Sequence, residues 1–201
     1  MGSRTIAGRL LEVIDHDILP LTERGVAAGN KVFGAAILRK DDLSLVVAGT
    51  NHETVNPLLH GEVRTLNEFY GMAEFHGMAG RPETRDLIFL ASHEPCTLCM
   101  SAITWAGFDN FYYLFSHQDS RDSFAIPHDL RILHEVFGLE PGGYRHSNAY
   151  WTAYSIPGLI ESEDQPLRGD LAAKQQRIRD RYAGLSQRYQ ESKSSNAIPL
   201  K

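Results

Sequence analysis

The chain of 201 residues has only two cysteines, Cys96 and Cys99. A disulfide framework is therefore not expected, and a reducing cytoplasm is the expected compartment. It has no apolar run long enough to cross a bilayer, which argues against a membrane association. Its beginning, Met1-Gly2-Ser3-Arg4, leads into an amphipathic stretch with Glu12, Asp15 and Asp17, unlike the apolar core of a secretory signal. Basic charge is also scarce where a nucleic acid would need it. Residues 1–166 hold 12 Lys/Arg against 22 Asp/Glu, a balance of −10, and residues 167–201 hold 8 against 3, a balance of +5. An acidic body repels a phosphate backbone, so a nucleic acid partner is not expected and a small substrate is. The basic tail reads as a solvated helix face. No internal repeat is visible.

What is present is an ordinary apolar fraction in a regular pattern. Ile6, Leu10, Leu11, Val13, Ile14 and Ile18 recur at helical spacing within 4–29, with Pro20 marking a kink or stop. The runs from Phe33 to Leu38 and from Leu45 to Ala48 predict a hairpin across the Lys40-Asp41-Asp42 turn. Leu59, Val63, Leu66, Phe69 and Tyr70 mark a helix over 58–70, and the glycine-rich residues 71–82 read as a loop. Buried strands are expected at 86–91 and 111–115, with helices from Cys96 to about Ala106, over 129–137 and over 168–193. Gly142-Gly143 reads as a break, and the aromatic stretch 150–156 as a strand or a packed arm. This order gives an α/β sandwich with a mixed sheet. The expected division is a main domain over 1–160 and a C-terminal linker with a polar helix over 161–201.

The chemistry is concentrated in two short runs, His60-Gly61-Glu62 and Glu94-Pro95-Cys96-Thr97-Leu98-Cys99. Two thiolates and one imidazole fill three tetrahedral positions of a zinc ion and leave the fourth for water. A helix N-terminus at Cys96 favours thiolates, and Pro95 loses no helical hydrogen bond there. His60, Cys96 and Cys99 are therefore the expected ligands of one Zn2+ per chain. Glu62 is the expected proton carrier of a hydrolytic site. A structural zinc would need a fourth protein ligand, which His52 or His93 would have to supply. The same combination of elements is described for the zinc deaminases that act on nucleobases.

Those runs, with Val32-Phe33-Gly34-Ala35-Ala36-Ile37, Asn51 and the Met100 that follows the second cysteine, resemble the cytidine deaminase-like superfamily over roughly residues 30–126. The resemblance is strongest to the branch of guanine, cytosine and tRNA adenosine deaminases. It implies a three-layer α/β/α sandwich with a mixed central sheet, followed here by a C-terminal helical extension. It also implies zinc-dependent release of ammonia from a small amino-heterocycle, with guanine the best single substrate and a pyrimidine the alternative. A tRNA adenosine deaminase or a silent binding module is less favoured. The family usually has Ala where this chain has Gly61, a change read as freeing the backbone to approach substrate. Ser101 to Ala106 and Arg121-Asp122-Ser123-Phe124 are similar to stretches of bacterial guanine deaminases. That likeness makes Asp122 the expected reader of the base, with Asp119 its rival. Asn51 and Phe33 are expected at the substrate ring, and Trp105 and Glu94 are pocket or packing residues. Tyr150, Trp151 and Tyr154 read either as a cap over a pocket, in this subunit or a partner's, or as core aromatics. His93, His117 and His128 read as surface or supporting groups. A homodimer is implied by the resemblance.

Overall fold

The computed structural model describes residues 5–72, 81–140 and 143–201. The helix-forming pattern at the start yields α1 (Ile6–Val13) and α2 (Leu19–Ala27), joined without a break by a π-helical turn, Ile14–Ile18. Leu19 N–H bonds to the Ile14 carbonyl, five residues back. Pro20 follows at the first turn of α2, where its missing N–H and its ring would disturb a regular ladder. Widening the preceding turn lets the helix run on through the proline, which is not a stop.

β1 (Gly34–Arg39) and β2 (Leu45–Thr50) form the expected antiparallel hairpin. Next come α3 (Gly61–Gly71), β3 (Leu87–His93), α4 (Thr97–Trp105) and β4 (Asn110–Phe115). Two short helices, α5 (His117–Asp122) and α7 (Ile156–Glu161), lie where the sequence pattern is too brief to show a period. Between them are α6 (His128–Phe137) and β5 (Thr152–Ser155). The last long helix is α8 (Leu167–Ser192), followed by a short segment to Lys201. Most of the glycine-rich loop over 71–82, and Gly142 of the expected break, lie outside the described residues.

The sheet order is β2-β1-β3-β4-β5. β3 is antiparallel to β1 and parallel to β4, and β4 is parallel to β5, so the sheet is mixed as expected. Alternation along β3 divides the core in two. Ile88 and Leu90 face a layer built from α1, the π turn, α2 and α8, while Leu87 and Phe89 face α3 and α4. The three layers follow from this.

α8 is less detached than its polar composition suggests. Leu171, Ile178, Tyr182, Leu185 and Tyr189 form a buried stripe along it and join the core beside α1 and α2. Each fully buried large side chain contributes roughly 1.5–3 kcal/mol. Only the opposite face carries the solvated charge. Among the described residues no helix is long and apolar enough to cross a membrane.

Candidate metal centre and active site

Two helix N-termini bring the donors together. His60 is the residue that caps α3, and Cys96 is the residue that caps α4. Cys96 Sγ lies 3.5 Å from Cys99 Sγ and 3.4 Å from His60 Nδ1, and Cys99 Sγ lies 3.7 Å from the same nitrogen. A tetrahedral zinc, with metal–sulfur distances of ~2.3 Å and metal–nitrogen distances of ~2.0–2.1 Å, separates its ligand atoms by ~3.6–3.8 Å. The three edges fit that ion within a few tenths of an ångström. Among the described residues these three side chains form the one group close enough to share a metal, and neither His52 nor His93 joins it. The donor set thus has three protein ligands, the number found in catalytic rather than structural zinc sites.

The thiols differ. Hydrogen bonding from Cys99, together with the neighbouring His60, holds the Cys96 thiol well below its ordinary pKa, against the effect of burial. Burial and the charge of Cys96 push the Cys99 thiol up. Glu62 is fully enclosed just inside α3, with Oε2 3.3 Å from Cys99 Sγ. Burial first, and the charge of Cys96 second, push its carboxyl up to about 7. It stands beside the donor triangle without belonging to it.

Two adjoining cavities meet at this point. A well of about 20 Å³, room for a water molecule, is walled by His60, Glu62, His93, Glu94, Cys96 and Asp129, with Phe33. Beside it lies a chamber of about 250 Å³ that shares Phe33, His60, Cys96 and Asp129. Its remaining wall is mainly apolar, with Leu98, Ile126 and Ile132 on one side and Ile198, Pro199 and Leu200 of the chain's own C-terminal segment on the other. The segment is tied down by Asn196 Nδ2 donating to the Gly29 carbonyl at 2.9 Å and by a 3.1 Å contact between His128 Nε2 and the Lys201 carbonyl.

The expected site residues separate clearly in space. Phe33 lines both cavities and packs edge-on against His93, with ring centroids 4.7 Å apart. Glu94 lines the well, but its carboxylate is already engaged by the His117 N–H at 2.8 Å and by the Tyr144 hydroxyl. Asn51 is buried and does not line the cavities. Its side chain donates to Glu53 Oε2 at 2.8 Å and accepts from the Gly61 N–H. Gly61 lines neither cavity, and a Cβ there would lie 2.8 Å from Gly34 Cα. The glycine is required by the close approach of α3 to the start of β1.

Asp122 and Trp105 lie elsewhere. Of the stretch Arg121 to Phe124, the first two residues end helix α5, and Asp122 sits on its exposed end in an ion pair with Arg121 at 2.6 Å. Asp119 closes a capping box with Ser116 and pairs with Arg179 at 3.2 Å. Trp105 is 90% exposed at the far end of α4. The helix places it roughly 13 Å along the axis from Cys96 and roughly 9 Å from Cys99. Of the aromatic stretch, Trp151 is core, donating to Thr104 Oγ1 at 2.8 Å, and Tyr154 stacks on Tyr112. Tyr150 is exposed, and none of the three lines the cavities. His93 and His117 are buried, not surface groups.

The acid that lines both cavities is Asp129, in the first turn of α6. Burial, and then the charge of Cys96, push its carboxyl up to about 6. No motif singles it out in the sequence. Glu53 and Lys31, buried at the chamber's edge, were equally silent. Nor does any pattern in the chain show that residues 198–200 return to the site.

A family model described as the zinc-binding region of cytidine and deoxycytidylate deaminases matches residues 16–115. This region belongs to the cytidine deaminase-like superfamily. A curated relative, the guanine deaminase of Bacillus subtilis, is 30% identical over 102 residues. That match spans 49% of this chain and 60% of the relative's length. Among solved structures, the guanine deaminase of Nitrosomonas europaea superposes with a TM-score of 0.50 at 22% identity, covering 89% of this chain and 85% of the other. A solved variant bound to 8-azaguanine gives a TM-score of 0.51 at 19% identity over 92% and 84% of the two chains. At these identities the superpositions establish the fold, which is that of the superfamily. His60, Cys96 and Cys99 lie within the matched region, and their donor set is compatible with one Zn2+.

Proposed function

We propose that the chain is a zinc-dependent hydrolytic deaminase of a small amino-heterocycle, with a purine base such as guanine as the substrate. The observation that carries this reading is the placement of Glu62: a buried carboxylate beside, and outside, a three-donor metal triangle, in the wall of the small well that adjoins the chamber. The guanine preference rests on the relatives, two of which are named guanine deaminases.

His60, Cys96 and Cys99 would hold the zinc ion, which when bound supplies a Lewis acid that makes water ionisable near neutral pH. Glu62 performs the proton transfers. It takes a proton from the attacking water as oxygen adds to the amine-bearing ring carbon, and it gives a proton to the ring nitrogen that receives the displaced π electrons. It then takes the remaining proton from the added hydroxyl and delivers it to the exocyclic amine as the carbon–nitrogen bond breaks. Ammonia leaves, and the ring keeps a carbonyl. Phe33 offers its ring to the heterocycle, while Asp129 is placed to accept from ring N–H and exocyclic amine donors, the role first expected of Asp122. The apolar chamber walls exclude water and offer few partners to a ribose.

The partner side of the reading is a homodimer. Trp105, 90% exposed, and Tyr150, 69% exposed, are the kind of side chains that a second copy would cover. The acidic body supports a small-molecule substrate over nucleic acid, and a cytoplasmic setting suits two free thiols. Residues 1–160 and 161–201 act as one unit in this reading, because α8 supplies core and the segment after it supplies chamber wall.

The test is ammonia release by zinc-loaded protein offered guanine, adenine, cytosine, cytidine and amino-triazines in parallel. Guanine is expected to react fastest. Preference for cytosine or cytidine would transfer the assignment to a pyrimidine deaminase, and no ammonia from any of them would defeat the proposal.

A further inference from the structure

Lys31 and Glu53 form an ion pair in one of the least exposed places in the chain. The Lys31 Nζ to Glu53 Oε1 distance is 2.9 Å, and the side chains are 6% and 1% exposed. Burying such a pair contributes little to stability compared with apolar residues of the same size, because both charges must be stripped of water. The carboxylate is unusually well held. Oε2 accepts from Asn51 Nδ2 at 2.8 Å and from the Lys31 backbone N–H at 3.3 Å. Asn51 in turn accepts the N–H of Gly61, the residue that follows His60. One polar network therefore joins the lead-in to β1, the loop after β2 and the N-terminus of α3.

This network ends on the imidazole. Glu53 Oε1 lies 3.7 Å from His60 Nε2, on the opposite side of the ring from the two sulfurs. A neutral imidazole has one N–H and one lone pair, and a metal needs the lone pair. Both sulfurs face Nδ1, so the ring proton must reside on Nε2. A fixed negative charge facing Nε2 favours that tautomer, and lengthwise contraction by about 0.7 Å would make the contact a hydrogen bond.

We propose that Glu53, anchored by Lys31 and Asn51, is the positioning residue for His60, holding the imidazole in the tautomer and orientation that bind the metal. This rests on the zinc-site reading above. Carboxylates that support a ligating histidine contribute about 10–100-fold in metal affinity. Lys31 then has a defined part: it fixes the carboxylate and balances its charge.

The test is zinc affinity, measured by competition with a chromophoric chelator on protein shown to be folded by circular dichroism. Glu53→Gln is expected to weaken zinc binding by at least about 10-fold. Lys31→Arg, which preserves the pair, is expected to stay within about 3-fold of the original chain, a rescue that a general packing defect would not give. The double variant Lys31→Met with Glu53→Leu removes both charges and keeps the experiment decisive where a single variant fails to fold; it too should lose at least about 10-fold. The cobalt-substituted protein gives an independent readout, with the visible bands of Glu53→Gln shifted from those of the original chain. Unchanged zinc affinity and unchanged cobalt bands in the folded variants would overturn the proposal, as would a change confined to KM, which would make Glu53 a substrate contact. A chain that takes up no zinc at all with Glu53 intact would overturn the metal-site reading itself.

Discussion

The Glu62 carboxylate lies 3.3 Å from the Cys99 sulfur, buried and yet outside the donor triangle. That arrangement separates holding a metal from moving a proton. Glu62→Gln is therefore expected to retain zinc at one ion per chain while losing deaminase activity by at least about 10²-fold. Metal analysis alongside steady-state kinetics checks it. Normal turnover at full zinc occupancy would remove Glu62 from the mechanism.

Asp129 and Asp122 make opposed predictions. Asp129 lines both cavities, whereas Asp122 is paired with Arg121 on the exposed end of α5. Asp129→Asn should lower kcat/KM by about 10-fold or more, the effect of losing a charged hydrogen-bond acceptor worth about 1.5–3 kcal/mol. Asp122→Asn should stay within about 2-fold, as expected for an exposed pair. The reverse result would restore the assignment made from the sequence.

Gly61 and Gly34 stand back to back. A methyl group on Gly61 would come within 2.8 Å of Gly34 Cα and 3.0 Å of Gly34 N, both backbone atoms that cannot swing aside. Gly61→Ala should destabilise the protein by about 1–3 kcal/mol. Urea unfolding would show it as a lower midpoint with an unchanged slope. A neutral result would mean that α3 can retreat from β1 without cost.

His93 sits in a box of Phe33, Phe115, Phe124 and Tyr182, and burial pushes its pKa down to about 3. The unfolded chain takes up this proton near pH 6.5, well before the folded protein does. The contribution is therefore complete above about pH 6.5 and declines as the pH falls towards 3, by up to about 1.4 kcal/mol per pH unit. His93→Phe should flatten that acid limb relative to the original chain. Equal slopes for the two proteins between pH 6 and 4 would exclude His93 as a source of acid sensitivity.

Much of the site was legible because its chemistry is local. The histidine and the carboxylate are two residues apart, and the cysteines are three residues apart on the first turn of a helix. Chain geometry alone keeps such groups together once the helices form. The strands were legible for a related reason: β1, β3 and β4 are apolar runs bounded by turns, and burial on both faces leaves that mark. α5 and α7, at six residues each, are too short for a helical period, so no helix was expected around Asp119 and Asp122.

Each half of the site, His60 with Glu62 and Cys96 with Cys99, follows from the order of residues, because short-range spacing at a helix N-terminus assembles it, whereas the sheet has to bring the two halves to one point. Which aspartate reaches the chamber, which buried carboxylate faces His60 and which segment closes the mouth depend on contacts between parts of the chain far apart in sequence. Asp129 is 69 residues from His60, and Ile198 is 102 residues from Cys96. Only sheet order and helix packing bring those pairs to one cavity, since no local pattern encodes the direction in which a distant helix or tail will return.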